Sequence, residues 1–256
     1  ADGARLGDEL ARIGYLGSEA AEAFPVHGSF EAHIEQGPVL ETEALQIGVV
    51  TGVQGMRWYD LVIDGTPCHA GTTPMAHRRD PTQVLVRALT RFFDGLDHFG
   101  PDARATVGVL RSVPESRNTV PAQVATSVDL RHPDAAVLEA MEASLRDLLA
   151  RGSQESETAA SLTCVWDSPA VAFDTGCVAA VREAASTRGY RHRDIVSGAG
   201  HDSVYLSRVA PTAMIFVPCE GGLSHNEAEN ATPEDIAAGC DVLLHAVLAR
   251  DAVEPL

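Results

Sequence analysis

The sequence contains no lysine, and its 19 basic residues, all arginine, stand against 36 acidic residues in a chain of 256. The formal net charge is −17. Phosphate backbones and anionic membranes need a basic face on the proteins that bind them. No apolar run approaches the roughly 18 residues of a membrane span, and the first nine residues lack the apolar core of a signal peptide. We therefore expect no nucleic-acid partner and no membrane partner.

The sequence also lacks the motifs of several common protein classes. Its five cysteines form no CxxC pair, and their odd number gives no disulfide framework. We expect most of them to be small buried residues in a reducing cytoplasm, which is the predicted location. A Gly-x-Ser-x-Gly elbow, a Walker loop and a dinucleotide fingerprint are missing too. Neither serine hydrolysis nor nucleotide binding therefore has support.

Hydrophobic periodicity in the middle of the chain predicts six alternating elements. The predicted strands and helices, in chain order, cover 56–64, 80–96, 105–110, 123–130, 134–149 and 162–166. Their order is β-α-β-β-α-β, the split pattern of a ferredoxin-like sandwich. Two helices would then cover one face of a four-stranded antiparallel sheet, because each helix supplies one apolar stripe.

The flanking parts of the chain return to α/β alternation. A helix is predicted over 175–187 and a buried strand over 213–217. The predicted fold class is therefore α/β. A βαββαβ lid or dimerisation domain, 52–167, is inserted into a larger α/β domain made of 1–51 and 168–256.

Two histidines follow apolar, strand-like runs. His33 lies in Ala-His-Ile-Glu-Gln-Gly-Pro, and His225 lies in Ser-His-Asn-Glu beyond the strand predicted at 213–217. A neutral imidazole at the end of a strand is a good metal ligand, and ligands gather at the carboxyl ends of strands in open α/β sheets. Taken alone, each histidine is more often a hydrogen-bonded structural residue.

Three polar residues of the predicted insert suit a small anionic substrate. The guanidinium of Arg131 and the carboxamide of Asn118 can bind a planar carboxylate through paired hydrogen bonds. The alternative is a surface arginine at a strand end and an asparagine in a turn. His69 can donate a hydrogen bond to a developing oxyanion. A nucleophilic pair with Cys68 is disfavoured, because adjacent strand residues point to opposite faces.

A glycine-rich run, 198–200, directly precedes His201 and Asp202. Glycines before a helix leave backbone N–H groups free, and such groups form nests for anions or substrates. The run is therefore a candidate part of a binding site.

Six motifs occur together in a fixed order along the chain. They are HIEQGPVLE at 33–41, CHAGTTPM at 68–75, RNTVP at 117–121, DLR at 129–131, SGAGHD at 197–202 and GLSHNE at 222–227. Together they closely resemble the M20-type two-metal amidohydrolases, in the branch of N-carbamoyl-L-amino-acid hydrolases, allantoate amidohydrolases and β-ureidopropionases. The resemblance runs through essentially the whole chain.

The resemblance implies a metal centre. His33 and His225 would be metal ligands, one on each ion of a zinc or manganese pair. Gln36 would face the substrate beside the ions. His201 and Asp202 would support the pocket.

The resemblance also implies a substrate site that spans the two predicted domains. His69, Asn118 and Arg131 would bind substrate from the inserted lid, and His69 would be catalytic, acting across a homodimer interface. Gly198 and Ala199 would line the pocket from the larger domain.

One part of the family pattern is not matched. Members carry an amino-terminal segment with a His-x-Asp motif, a metal-bridging Asp and a Glu-Glu pair, and nothing in residues 1–32 resembles it. That segment supplies three ligands and the general base. The sequence also does not begin with Met, so we expect a trimmed start. Because the amino-terminal segment is not matched, we expect a two-ion site only when that segment is present. We also expect the chain to be inactive on its own.

Two hypotheses from different classes follow. The first is a metal-dependent hydrolase of C–N bonds in small ureido, carbamoyl or amide acids, incomplete in this chain. N-carbamoyl-L-amino acids, N-carbamoyl-β-alanine and allantoate all fit, and a plain aminoacylase or peptidase fits less well. The second is a non-catalytic, truncated binding or dimerisation module. The length of the native open reading frame separates them.

Overall fold

The structure is a computed structural model that describes residues 3–20 and 24–252. The helices are α1 (Leu6–Arg12), α2 (Val39–Thr42), α3 (Pro81–Asp94), α4 (Ala135–Ser156), α5 (Thr175–Thr187), α6 (Asp202–Leu206) and α7 (Pro233–Asp251). The strands are β1 (Ser29–Ile34), β2 (Ile47–Val53), β3 (Gly55–Asp64), β4 (Cys68–His69), β5 (Arg104–Val113), β6 (Thr119–Val120), β7 (Gln123–His132), β8 (Ala159–Ser168), β9 (Val171–Ala172), β10 (His192–Ser197) and β11 (Thr212–Val217). The structure therefore has the mixed α/β class predicted from the sequence.

The first sheet has the order β1-β11-β2-β10, with β9 paired to β2. Strand β1 runs parallel to β11, so the carboxyl ends of both strands lie at one edge of the sheet. Every residue of β11 is buried. The strand shares one hydrophobic core with residues of α5 and α7, which explains its continuous apolar sequence.

The second sheet has the order β5-β7-β3-β8, and all of its pairs are antiparallel. Alternate residues of β7 are buried, as expected for a sheet covered on one face. Tyr59, Leu61 and Ile63 of β3 join Met141 and Leu145 of α4 in a second hydrophobic core. The predicted β-α-β-β-α-β order is confirmed. The domain limits 52–167 stay a prediction.

Several strands of the second sheet, and the helix α4 that covers it, are longer than the sequence periodicity predicts. Helix α4 continues to Ser156, past the predicted end at 149. Its last turns are mostly polar and show no apolar periodicity, although Ser153 in them is buried. A short ribbon was also not predicted: β4 pairs with β6, with His69 opposite Thr119. Strands of two residues are too short to show alternation.

Two expectations drawn from composition are tested by the fold. The expectation that most cysteines are buried is wrong: Cys177 and Cys219 are buried, Cys68 is partly buried, and Cys164 and Cys240 are exposed. Among the residues that the structure describes, no helix combines the length and the apolarity needed to cross a membrane.

Candidate active site

A group of three potential metal donors lies where β1 meets the start of α6. Glu31 and His33 are two residues apart in β1, so both side chains lie on the same face of the strand. His201 immediately precedes α6. One donor atom from each of the three residues lies within 4.8 Å of the others, and the two imidazole centroids are 4.8 Å apart. Two nitrogens and a carboxylate oxygen form a donor set that zinc accepts.

Hydrogen bonds orient all three side chains. His33 Nδ1 lies 2.8 Å from the carbonyl oxygen of Ile34, which can only accept, so Nδ1 carries the proton and Nε2 keeps a lone pair. Glu31 Oε2 accepts from the amide and the hydroxyl of Ser203, at 3.1 and 2.6 Å. His201 Nε2 lies 2.7 Å from Ser197 Oγ. Hydrogen bonds within the chain therefore fix the orientation of each of the three side chains.

The local electrostatics keep the buried imidazole of His201 neutral. Burial, and then the neighbouring His33, lower the pKa of His201, and Glu31 and Asp202 oppose this effect more weakly. A neutral imidazole is the form that offers a lone pair to a metal ion. The lowered pKa of His201 therefore favours the form of the imidazole that can bind a metal ion.

Glu31 and His201 were not predicted as donors. The resemblance implied a supporting role for His201. It implied no role for Glu31, because residues 1–32 do not match the family's ligand motifs. The signal for Glu31 was its two-residue spacing from His33, which in a strand places both on one face. The proximity of His201 could not be found this way, because it depends on how α6 packs beside β1.

The loops after β1 and β11 meet at the edge where both strands end. Gln36 Nε2 donates to Ser224 Oγ at 2.8 Å, and this bond joins the two loops. Gly222 has φ +65°, and a Cβ on it would lie 2.8 Å from the backbone nitrogen of Pro38, so a side chain there would force the loops apart. The structure therefore places Gln36 beside the segment that carries His225.

His225 itself is exposed and is not one of the three donors of the group. Its backbone N–H donates to Glu229 Oε2 at 3.0 Å, and its φ is +55°. Glu35, which lies between His33 and Gln36, has a structural role: its carboxylate accepts from the first amides of α2, those of Val39 and Leu40.

The β4–β6 ribbon brings together two of the predicted substrate residues. His69 Nδ1 accepts from the amides of Gly71 and Thr72, at 3.0 and 3.1 Å. Its proton is therefore on Nε2, which makes that atom a hydrogen-bond donor. The Asn118 carbonyl accepts from the amide of Ala70, so Asn118 lies beside His69.

Arg131 connects the second sheet to the glycine-rich run. Its Nε and Nη2 donate to the carboxylate of Asp129, and its Nη1 donates to the carbonyl of Gly198 at 2.6 Å. Three of the five guanidinium N–H groups are thus engaged. The expectation of a free nest at the run is wrong for Ala199, because its N–H donates to Ser197 Oγ at 3.1 Å.

A cavity of about 360 Å³ lies at the junction of the two sheets. Met56, Trp58 and Trp166 line it from the second sheet, and the run from Gly198 to Asp202 lines it from the first. His201 belongs both to this cavity and to the three-donor group, so the cavity opens directly beside the candidate metal centre.

Comparison with known proteins identifies the family. The family model described as Peptidase family M20/M25/M40 matches residues 7–249. The chain belongs to this family. The resemblance to M20-type amidohydrolases that the six motifs indicated is therefore confirmed.

Relatives within the M20 family carry names of amidohydrolases. An N-carbamoyl-L-amino-acid amidohydrolase of Rhizobium meliloti is 44% identical over 96% of this chain and 59% of its own length. An allantoate amidohydrolase of Escherichia coli is 34% identical over 83% of this chain and 52% of its own length. The chain thus spans between half and three fifths of these two M20 relatives.

Solved M20 structures share the fold. The crystal structure of an amidase of the hydantoinase/carbamoylase family from Burkholderia multivorans matches all of this chain and 62% of its own, with a TM-score of 0.90 and 51% identity. A corresponding amidase from Burkholderia ambifaria has a TM-score of 0.91 and 43% identity.

Proposed function

We propose that this chain is part of a metal-dependent hydrolase of C–N bonds in small ureido or carbamoyl acids, of the N-carbamoyl-amino-acid or allantoate type. The observation that carries the proposal is the group of Glu31, His33 and His201. The group adjoins a cavity lined by Gly198, whose carbonyl accepts a hydrogen bond from Arg131 of the other sheet. The names of the relatives support the substrate class.

The donor chemistry of the site fits a divalent ion of the zinc or manganese type. Glu31, His33 and His201 would hold one ion, and His225 would join the centre from the neighbouring loop. Such an ion supplies Lewis-acid activation of water and of the scissile carbonyl. We propose that the remaining ligands of a two-ion site, and the general base, lie on the family's amino-terminal segment, outside these 256 residues.

The substrate carboxylate would bind at Arg131, whose guanidinium Asp129 holds in position, with Asn118 as the second polar contact. The Nε2–H of His69 would donate to the oxygen on which negative charge develops. Gln36 would orient the ureido group from the opposite side of the site, and Gly198 and Ala199 would line the pocket.

The test uses a completed enzyme, in which this chain is joined to the amino-terminal segment of the Rhizobium meliloti relative. Ammonia release from N-carbamoyl-L-amino acids and from allantoate is compared with cleavage of dipeptides and N-acetyl amino acids. We expect turnover of the carbamoyl or ureido substrates and little of the others. Faster cleavage of dipeptides would contradict the proposal, and no hydrolysis at all would favour the non-catalytic module.

Arg131→Lys in the completed enzyme is expected to raise KM by about 10-fold or more, with a smaller effect on kcat. Lysine keeps the charge but cannot form the paired bonds that the planar fork makes with a carboxylate, and a hydrogen bond between charged groups is worth roughly 1.5–3 kcal/mol. Steady-state kinetics measures both constants. The matched control is Arg188→Lys, at an exposed ion pair with Asp241 away from the site, which should change neither. An unchanged KM in Arg131→Lys would remove Arg131 from the site.

We predict that the chain forms a homodimer through the second sheet. Edge strand β5 carries Val109, Leu110 and Val113, which are 46%, 67% and 56% exposed. An exposed apolar edge strand is a template for pairing with another chain. Light scattering at micromolar concentration should give the dimer mass, and Leu110→Lys should shift it toward the monomer, whereas Leu6→Lys on exposed α1 should not. A monomer mass for the unmodified chain would refute the prediction.

A further inference from the structure

Both tryptophans of the chain lie side by side in the cavity. Trp58 of β3 and Trp166 of β8 are directly opposite in the strand register, and their ring centroids are 6.0 Å apart. The sequence has only these two. They are 44% and 46% exposed, although neighbouring Tyr59 is fully buried on the face covered by α3 and α4. The pair therefore presents a large aromatic surface to the cavity, on the face of the sheet that the helices leave free.

Apolar residues extend this aromatic surface. Met56 continues it along β3, and Val53 of β2 and Val204 of α6 also line the cavity. The polar side chains that line the cavity are those of Gln54, Ser168, His201, Asp202 and Tyr205. A polar substituent that lies against the two indole rings would lose hydrogen bonds to water without regaining them there, which disfavours its binding at this part of the cavity.

The position of the cavity relative to the proposed site indicates which part of the substrate lies in the cavity. Arg131 contacts Gly198, which lines the cavity. His201 also lines the cavity, and it belongs to the donor group of Glu31, His33 and His201. A substrate whose carboxylate lies at Arg131 and whose scissile carbonyl lies at the donor group has one substituent left, its side chain. The volume of about 360 Å³ is within the range of small-ligand sites.

We propose that Trp58 and Trp166 form the subsite for the substrate's side chain and select N-carbamoyl-L-amino acids with large apolar side chains over allantoate. The inference rests on the proposed function for the placement of the carboxylate and the carbonyl. Allantoate carries a second ureido group where an amino acid carries its side chain, and this polar group would lose hydrogen bonds to water against the indole rings. A glycine derivative would leave the subsite empty.

The experiment measures intrinsic fluorescence of the 256-residue chain, since both of its fluorophores of this kind line the cavity. N-carbamoyl-L-leucine, which does not absorb in the same range, is titrated to millimolar concentration beside N-carbamoylglycine and allantoate. We expect a saturable change with the leucine derivative and binding at least about 10-fold weaker for the other two, since one to a few methylenes in an apolar pocket give such ratios. Equal binding of the three, tightest binding of allantoate, or no saturable change would overturn the proposal.

Substitutions of Trp58 and Trp166 test whether these two side chains bind the ligand. Calorimetric titration of Trp58→Ala and Trp166→Ala should show a loss of affinity for N-carbamoyl-L-leucine of about 10-fold or more, and Trp58→Phe should lose less. Phe93→Ala, at a half-exposed ring on α3, is the matched control and should bind as the unmodified chain does. Unchanged affinity in both Trp→Ala variants would also overturn the proposal.

Turnover in the completed enzyme distinguishes failure of the subsite from failure of the proposed function. Equal kcat/KM for the leucine and glycine derivatives would refute the subsite and leave the function intact. Binding of N-carbamoyl-L-leucine that depends on Trp58, without any hydrolysis, would refute the function and leave the subsite.

Discussion

His33→Ala in the completed enzyme is expected to lower kcat/KM by about 10³-fold or more and to reduce the bound metal. Metal ions contribute several kcal/mol to stabilising the transition state of hydrolysis, and about 4 kcal/mol corresponds to 10³-fold in rate. His33 is the candidate ligand with the best-defined tautomer. Its Nδ1–H donates to the Ile34 carbonyl, so Nε2 is unprotonated and its lone pair can bind a metal ion. Elemental analysis and steady-state kinetics on the same preparation measure both effects.

Two further variants control this experiment. His98→Ala, at an exposed histidine outside the site, should keep full metal content and activity. Glu31→Gln tests the carboxylate: glutamine can still accept from Ser203 but lacks the charge of a ligand, so metal affinity should fall while the fold is kept. Full metal content and activity in His33→Ala would show that the donor group is structural.

His69→Ala in the completed enzyme is expected to lower kcat by about 10²–10³-fold without changing the metal content. The reason is the loss of one donor to the developing oxyanion, since removal of a single such donor has effects of this size. The structure supports the donor role, because two backbone amides occupy Nδ1 and leave the proton on Nε2.

The same two hydrogen bonds require a second variant, because His69 also stabilises the turn that follows it. In His69→Asn the side-chain oxygen can still accept from the amides of Gly71 and Thr72, but no donor remains at the position of Nε2. We expect His69→Asn to be as slow as His69→Ala. Recovery of kcat in His69→Asn would mean that His69 only supports the turn.

The layer architecture was predictable because it follows from repeated local signals. The alternation in β7 and the stripes of α3 and α4 are visible in the sequence, and they fixed the β-α-β-β-α-β order. The end of α4 was not visible, because its last turns are polar and are held by tertiary packing at Ser153.

The candidate site was predictable only where its residues occur in motifs. Such motifs contain His33, Gln36, His69 and Arg131. These residues lie at strand ends or in turns, which can be predicted from the neighbouring sequence. The contacts that assemble the site are not local. The bond from Arg131 to Gly198 and the pairing of Trp58 with Trp166 join residues from distant parts of the chain, and both depend on strand register or on the packing of the two sheets.

The set of candidate metal donors changed most between sequence and structure. The sequence indicated two histidines on separate ions, whereas the structure groups Glu31 and His201 with His33 and leaves His225 outside the group. Three protein ligands are enough for one catalytic zinc ion, but a second ion and a general base need further carboxylates. We therefore propose that this chain holds half of a two-ion site.

Metal content and turnover of the 256-residue chain, measured together after dialysis against zinc or manganese, test that claim most directly. We expect at most one ion per chain and no ammonia release from N-carbamoyl-L-amino acids. The completed enzyme, prepared identically, should retain two ions and release ammonia. Two retained ions with measurable turnover in the chain alone would contradict the account, because carboxylates among its own residues would then complete the site.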